Sequence, residues 1–280
     1  MIDLCTFVQS LERYLPPDTA MKGDRIGLQL QSGRTDISSV LVTMELTEEI
    51  AEEAIRTGSD CIVAFHPLIF TPVTSLTQSD RVGRICTLLI AHKIALVIAH
   101  TNFDAFPRGT SALLAERLGV RIERQLIENA QHPGFGIGVV GILDTPQPVE
   151  DFIAHLHTIS CAPIRYTLGR STLLHRIAVV GGSGASFFDA ACAAGVDAYI
   201  TADIKYHDFH RARGHLTLID AGHYETEQFV SIGLASLVEH IAAEHQQLLT
   251  VRRSTIVPNP IRYYPHTCEY RSQQERVLIT

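Results

Sequence analysis

The sequence predicts an α/β protein of two α/β lobes, in which mostly parallel or mixed sheets are flanked by helices. The chain has 280 residues, which is more than one average domain and too few for three. Hydrophobic residues make up 46% and charged residues 19% of the chain, so it can bury a sizeable core. Short apolar segments alternate with amphipathic ones, as strands and helices do in α/β sheets.

The first lobe is predicted to span residues 1–126. Its apolar segments are short and uninterrupted, which is typical of strands buried on both faces of a sheet. The helix after the first strand begins with a capping pattern at Thr47 and ends at Gly58. The predicted strands are residues 40–44, 61–64 and 95–99, and the further helices run from Arg81 to His92 and from Ser111 to Leu118.

The second lobe is predicted to span residues 127–250. Its start is placed where the sequence becomes rich in Gly, His and Pro, around residues 127–141. The predicted helices are 149–160, 186–194 and a long last helix, 226–249, and the predicted strands are 177–180, 198–200 and 216–219. Residues 251–280, with five arginines and two acidic residues, form a C-terminal extension that is apolar enough to pack on the protein.

Charge and hydropathy exclude several classes of protein. The net charge is −7 and the isoelectric point is near 6.0, which argues against a nucleic-acid partner. The most apolar stretch, residues 85–99, contains His92 and Lys93 and is shorter than the roughly 20 residues of a membrane helix. No signal peptide is evident at the start, and the six cysteines are widely spaced. We therefore expect a cytoplasmic protein with reduced thiols and no membrane partner.

Side chains that bind metals follow four of the predicted strands. Because the carboxyl ends of parallel strands meet at one edge of a sheet, these side chains are expected to converge there. One histidine among fourteen carries little weight, but four such groups are hard to attribute to chance. Imidazoles and carboxylates without a thiolate pair suit Zn, Mn, Fe or Co. The residues are His66; His100 and Asp104; Asp203 and His207; and Asp220, His223 and Glu227.

A glycine-rich segment, residues 181–185, follows another predicted strand and allows three interpretations. A phosphate group could bind at the start of the next helix. Ser183 could be the nucleophile of a serine hydrolase, with Asp220 and His223 following in the usual chain order. The glycines could also serve only a tight turn between strand and helix.

Several of these segments together resemble the Ngg-one-interacting-factor-three-like family, whose bacterial members are often labelled GTP cyclohydrolase I type 2 homologues. They occur in the order of the family and span residues 23–227. The matching segments are Gly23-Asp24-Arg25-Ile26-Gly27-Leu28-Gln29, Phe65-His66-Pro67-Leu68-Ile69-Phe70, His100-Thr101-Asn102-Phe103-Asp104, Thr201-Ala202-Asp203-Ile204-Lys205-Tyr206-His207 and Asp220-Ala221-Gly222-His223-Tyr224-Glu225-Thr226-Glu227.

The resemblance implies a pair of divalent metal ions between the two lobes and a ring-shaped homohexamer. The ligands that it implies are His66, Asp104, His223 and Glu227, with Glu227 bridging the ions. The family usually has two adjacent histidines where this chain has Phe65 and His66, so one metal position loses a ligand. We therefore expect one or two ions per chain, of Zn, Fe, Mn, Co or Ni.

These residues predict a metal-dependent hydrolase of a small nucleotide-like or phosphorylated molecule. The resemblance implies chemistry similar to that of a GTP cyclohydrolase. The ion would activate a water molecule, and His100 or His207 would be the catalytic residue that transfers a proton. The alternative is a non-enzymatic scaffold that binds a metal or a protein partner, which an incomplete metal pair also fits.

Overall fold

A computed structural model describes residues 1–264 of the chain, and their contacts divide it into two units. Unit 1 contains residues 1–103 and 230–259, and unit 2 contains residues 104–229 and 260–264. The predicted class is confirmed, since each unit has a multi-stranded sheet flanked by helices. None of the helices within residues 1–264 is long and apolar enough to cross a membrane.

Unit 1 begins with short strands and helices whose starts are capped by side chains. Asp3, Thr47 and Asp80 each accept a hydrogen bond from a backbone N–H in the first turn of a helix, which satisfies a donor that the helix itself leaves unpaired. The elements are β1 (Ile2–Asp3), α1 (Leu4–Tyr14), a 3₁₀ turn (Pro17–Thr19), β2 (Gly27–Leu30), β3 (Asp36–Ile37), β4 (Ser39–Thr43), α2 (Glu48–Arg56), β5 (Cys61–Ala64), α3 (Arg81–Ala91), β6 (Ala95–Ile98) and α4 (Thr101–Asp104).

Unit 2 follows, and the chain then returns to unit 1. The elements of unit 2 are α5 (Thr110–Arg117), β7 (Val120–Glu128), β8 (Gly136–Pro148), α6 (Val149–Ser160), β9 (Arg165–Thr167), β10 (Leu173–Ser183), a 3₁₀ turn (Ala185–Phe187), α7 (Phe188–Ala193), β11 (Ala198–Ala202), α8 (Tyr206–Ala212), β12 (Thr217–Asp220) and α9 (His223–Glu227). The returning elements are α10 (Val230–Glu244) and β13 (Thr250–Arg253).

The sheet of unit 1 has the strand order β13-β4-β5-β6-β2. Strands β13, β4, β5 and β6 are parallel, and only β2 runs antiparallel to its neighbour β6. All residues of β4, β5 and β6 are buried, because side chains cover both faces of these central strands. Leu41, Ile62 and Leu96 pack in one core with residues of α2 and α3.

The sheet of unit 2 is mixed, with the strand order β7-β8-β10-β11-β12-β9. The neighbours β10, β11 and β12 are parallel, and the remaining neighbours are antiparallel. Tyr199 on β11 is completely buried and its hydroxyl donates to the carbonyl oxygen of Gly184, 2.7 Å away. The carboxyl ends of the parallel strands carry the residues of the candidate site.

The boundaries between the two units lie at residues 103/104 and 229/230 and not at the predicted 126/127 and 250/251. Residue 126, the predicted end of the first lobe, lies inside β7. The glycines of the following segment allow β8 to approach β7 closely: a Cβ added at Gly136 would lie 2.2 Å from the carbonyl oxygen of Ile127. The glycine-rich segment 127–141 therefore forms part of the β7–β8 hairpin.

The single long helix predicted for residues 226–249 is wrong. The structure has two helices there, with α9 packed on β10 in unit 2 and α10 packed on α1 and β4 in unit 1. The predicted extension also begins inside an element, because residue 251 lies within β13, which pairs in parallel with β4. Of the predicted extension, residues 251–259 pack in unit 1 and residues 260–264 belong to unit 2, whereas residues 265–280 lie outside the described part of the chain.

Glu53 on α2 binds the segment that follows β13, at Ser254 and Thr255. Its buried carboxylate accepts hydrogen bonds from the Ser254 hydroxyl and from the backbone N–H and hydroxyl of Thr255. Burial raises the pKa of Glu53, but these hydrogen bonds outweigh it and hold the pKa below the usual range.

Replacing Glu53 by glutamine is expected to lower the free energy of unfolding by about 2 kcal/mol, because three hydrogen bonds lose their charged acceptor. Since the pKa of Glu53 is lowered in the folded state, its stabilising effect is present above the usual glutamate range and is lost as the pH falls through the lowered value. Urea denaturation at neutral and acidic pH would measure both effects. Exposed Glu52 is the matched control, and an equal loss in Glu52→Gln would contradict the assignment.

Candidate metal centre

His66 in unit 1 is held by a carboxylate from the neighbouring strand end. The N–H groups of Phe65 and His66 donate to the carbonyl oxygens of Thr43 and Met44 at 3.0 and 2.8 Å, so the ladder of β4 and β5 continues past both strands. This continuation places Glu45 beside His66, with 3.1 Å between Glu45 Oε2 and His66 Nδ1.

Arg81, the first residue of α3, holds Glu45 from the other side. Its guanidinium donates to Glu45 Oε1 and, at 2.7 Å, to the carbonyl oxygen of Leu46. Burial raises the pKa of Glu45, but His66 and the Arg81 charge together hold it below the usual range. Glu45 is therefore ionised at neutral pH and orients the imidazole of His66.

His100, which follows β6, has a similar partner. Its Nδ1 lies 2.8 Å from Oδ1 of Asp24, and the N–H and hydroxyl of Thr101 also donate to this carboxylate. Burial raises the pKa of Asp24, but these hydrogen bonds hold it well below the usual range. The rings of His66 and His100 meet edge to face with their centroids 5.5 Å apart.

Phe65 is completely buried in unit 1. Its ring lies 5.0 Å from that of His66, 5.3 Å from that of His100 and 6.3 Å from that of Phe103, measured between centroids. The position that is usually histidine in the family therefore packs against the two remaining histidines as an apolar ring.

In unit 2, the short helix α9 brings His223 and Glu227 together. They are four residues apart, on one face of the helix, and His223 Nε2 lies 3.1 Å from Glu227 Oε2. The Nδ1 atom of His223 lies 2.6 Å from Oδ2 of Asp203. Glu227 first, and Asp203 in addition, raise the pKa of His223 to about 9 in the absence of a metal ion. His223 and Glu227 thus each offer a ligand atom that could hold an ion.

The glycine-rich turn at the end of β10 packs directly against this pair. Gly182 has a φ of +63°, and a Cβ added there would lie 2.1 Å from Glu227 Oε1. The N–H of Gly182 donates to the hydroxyl of Thr226 at 2.9 Å. Both the backbone angle and the close approach of a carboxylate favour glycine here, which supports the interpretation of a tight turn.

Asp104, the last residue of α4, lies beside the same turn. Its Oδ1 accepts a hydrogen bond from the Thr110 hydroxyl at 2.5 Å. A Cβ added at Gly181 would lie 2.5 Å from Cγ2 of Thr110, so the start of α5 packs against the end of β10. Asp104 therefore reaches this turn through Thr110, whereas Glu227 contacts Gly182 directly.

A serine-hydrolase triad of Ser183, Asp220 and His223 is not assembled. Both ring nitrogens of His223 face other carboxylates, those of Asp203 and Glu227. Oδ2 of Asp220 instead accepts hydrogen bonds from Arg165 and from the N–H of Ile204. The triad interpretation is wrong.

His207 lies on α8 and is exposed, and among the described residues its ring packs edge-on against that of Tyr206, 5.5 Å away. Sequence reasoning gave no role to Glu45, Asp24 or Arg81, although Glu45 and Asp24 contact candidate histidines and Arg81 holds Glu45. Asp24 lay within one of the family-like segments, and Glu45 directly follows a strand. No signal in the sequence pointed to Arg81.

The fold and these side chains define a class: a two-unit α/β protein whose strand-end histidines are each oriented by a carboxylate, which is a candidate metal-binding arrangement. The chain belongs to the DUF34/NIF3 (NGG1p interacting factor 3) family, whose model matches residues 2–260. The resemblance found in the sequence is confirmed.

Known relatives cover nearly the whole chain. A Streptomyces coelicolor protein named GTP cyclohydrolase 1 type 2 homolog is 34% identical over 92% of this chain and 93% of its own length. A Nostoc protein of the same name is 35% identical over 81% and 86%. The crystal structure of a Staphylococcus aureus protein has a TM-score of 0.85 at 29% identity, covering 94% of this chain and 99% of that one.

Proposed function

We propose that the chain is a hydrolase that binds a divalent metal ion through His66, Asp104, His223 and Glu227. One observation carries this proposal: Nδ1 of His66, of His100 and of His223 each faces a carboxylate oxygen. A carboxylate on one ring nitrogen fixes the tautomer and leaves Nε2 as the ligand, as in most metal-bound histidines.

The donor set fits a mid-series divalent ion. Two imidazoles and two carboxylates, with no thiolate, suit Zn, Mn, Fe, Co or Ni. Glu227 is buried, with an exposed fraction of 4%, and needs a positive partner. In the metal-free protein the protonated His223 supplies that charge, and a metal ion would replace its proton.

A bound ion lowers the pKa of a water ligand toward neutrality and polarises the bond to be broken. The chain's own residues hold and orient the ligands: Glu45 and Arg81 fix the ring of His66, and Asp203 fixes that of His223. His100, held by Asp24, is positioned to accept or donate a proton through Nε2. His207, which is exposed on α8, is the second proposed proton carrier.

The proposed substrate is a small nucleotide-like or phosphorylated molecule, and the name shared by the relatives, GTP cyclohydrolase 1 type 2 homolog, supports it. The proposed assembly is a homohexamer, which only the family resemblance supports. One observation favours a second function, a metal-binding or partner-binding scaffold: buried Phe65 removes a family ligand, which leaves the usual metal pair incomplete.

The test combines elemental analysis of the purified protein with a screen of nucleotides and phosphoesters, with and without added metal. At least one equivalent of metal per chain and metal-dependent turnover are expected. Metal without turnover of any compound would favour the scaffold. A protein that neither retains nor takes up a divalent ion would refute the metal proposal itself.

Metal binding is expected to release about one proton per ion near neutral pH. Since the pKa of His223 is about 9 in the metal-free protein, its proton competes with the ion, and the affinity should rise with pH up to that value. Calorimetric titrations in buffers of different ionisation enthalpy count the protons. Asp203→Asn removes one carboxylate that raises this pKa, so it should lower the proton count. Tight binding without proton release would show that His223 is not a ligand.

A further inference from the structure

A cleft of about 510 Å³ lies in unit 2 beside the edge strand β9 and the helix α8. Its size falls in the range of small-molecule sites. It is formed by residues other than the proposed metal ligands. The side chains that matter are three aromatic and three basic: Tyr166, Tyr206 and Phe209, and Arg165, His210 and Arg213.

The charged side chains that line the cleft are basic. Among the described residues that line it, none is acidic. Arg165 is anchored by its Nη2, which donates to the carbonyl oxygen of Ile204 at 2.9 Å and to Asp220, so its other N–H groups keep a fixed position. Arg213 directly follows α8 and forms no ion pair with any described residue. A protein with a net charge of −7 thus presents a local site for an anion.

The aromatic side chains supply flat apolar surface next to these cations. Tyr206 is 69% exposed, and its ring meets that of His210 edge to face at 4.7 Å, which holds it in place. The guanidinium of Arg165 lies 5.5 Å from the ring centroid of Phe209. An exposed aromatic ring of this kind offers a flat face on which a planar heterocycle can stack.

We propose that this cleft binds a mononucleotide, with the base against Tyr206 and the phosphate at Arg213 and Arg165. Arginine recognises phosphate through charge-assisted hydrogen bonds, and aromatic rings recognise a base by stacking. A free phosphate would leave the aromatic rings unused, and an apolar ligand would leave the arginines unused.

The segment between β11 and α8 joins this cleft to the candidate metal ligands of unit 2. Asp203 at its start contacts His223, Ile204 in its middle bonds to Asp220 and Arg165, and Tyr206 at its end lines the cleft. That the bound nucleotide is the substrate rests on the proposed function. Binding itself needs no metal ion.

The experiment is an equilibrium titration of metal-depleted full-length protein with guanosine and adenosine monophosphates, guanosine, and inorganic phosphate. The mononucleotides should bind saturably with a Kd of roughly 1 mM or tighter. Guanosine and phosphate alone should bind about tenfold more weakly or worse, because each makes only part of the contacts.

Matched variants assign the binding to the cleft. Arg213→Gln should weaken mononucleotide binding about tenfold or more. Arg211→Gln, which lies on α8 just before Arg213 and is paired with Asp189 outside the cleft, should change it less than about twofold. Tyr206→Ala should weaken it about tenfold and Tyr206→Phe hardly at all, since phenylalanine keeps the stacking ring.

Absence of saturable binding, or equal effects of Arg213→Gln and Arg211→Gln, would overturn the inference. Phosphate binding as tight as nucleotide binding would reduce the cleft to an anion site and also overturn it. A change in oligomer size in Tyr206→Ala without nucleotide binding would identify an interface between copies instead. Glu227→Gln should bind nucleotide normally while failing to bind metal, so the failure of one proposal is distinguishable from that of the other.

Discussion

Purified Glu227→Gln protein is expected to contain almost no bound metal. Glutamine keeps the size of the side chain but removes the charge that a buried ion needs, and its N–H₂ group cannot bind a cation. Loss of residues that merely support a ligand typically weakens metal binding about 10–100-fold, so loss of this proposed ligand should exceed about 100-fold. Elemental analysis and competition with a metal-binding dye would measure the loss.

Glu225→Gln is the matched control for this variant. Glu225 lies on the same helix and is also buried, but its carboxylate accepts a hydrogen bond from the Tyr263 hydroxyl at 3.0 Å. The control therefore removes a buried charge without removing a proposed ligand. Equal metal loss in both variants would show that the effect comes from misfolding of α9, and full metal content in Glu227→Gln would exclude Glu227 as a ligand.

Gly182→Ala is expected to damage both stability and metal binding. The added Cβ would meet Glu227 Oε1 at 2.1 Å, so the carboxylate must move, and the φ of +63° strains any residue with a side chain. The two effects should lower the free energy of unfolding by about 2–4 kcal/mol. Metal affinity should fall about 10–100-fold, as it does when the support of a ligand is lost.

Gly195→Ala separates the two causes. Gly195 has a φ of +66°, but a Cβ added there has no neighbour within 4 Å. This variant therefore carries the backbone strain alone and should cost about 1 kcal/mol of stability with unchanged metal binding. Urea denaturation and dye competition on both variants would test this, and unchanged metal affinity in Gly182→Ala would contradict the described approach of Glu227 to the turn.

The elements that the sequence predicted well are those with one dominant local signal. The buried strand at 61–64 is apolar at every position, and the structure places β5 at those residues. The helix at 149–160 has the predicted bounds, with two acidic residues in its first turn. Where glycine served close strand contact, as in β8, local signals misled, because the same residue is also typical of loops.

For the candidate site, too, local sequence signals revealed some residues and missed their partners. Strand-end position was enough to single out His66, His100 and His223. The carboxylates that orient two of them are distant in sequence, since Glu45 precedes His66 by 21 residues and Asp24 precedes His100 by 76. Such pairs are created by tertiary structure, and no periodicity or spacing in a single sequence can reveal them.

Strand β13 has a consequence for synthesis of the protein. It pairs with β4, yet more than 200 residues separate the two, and unit 2 lies between them in the chain. During translation, the edge of β4 at Val40, Leu41 and Val42 therefore lacks its hydrogen-bonding partner until residues 250–253 have left the ribosome. Unit 2 up to residue 229 is continuous and can begin folding earlier. Premature termination after unit 2 would leave this apolar edge free to pair with other chains, so truncated products should aggregate rather than accumulate in folded form.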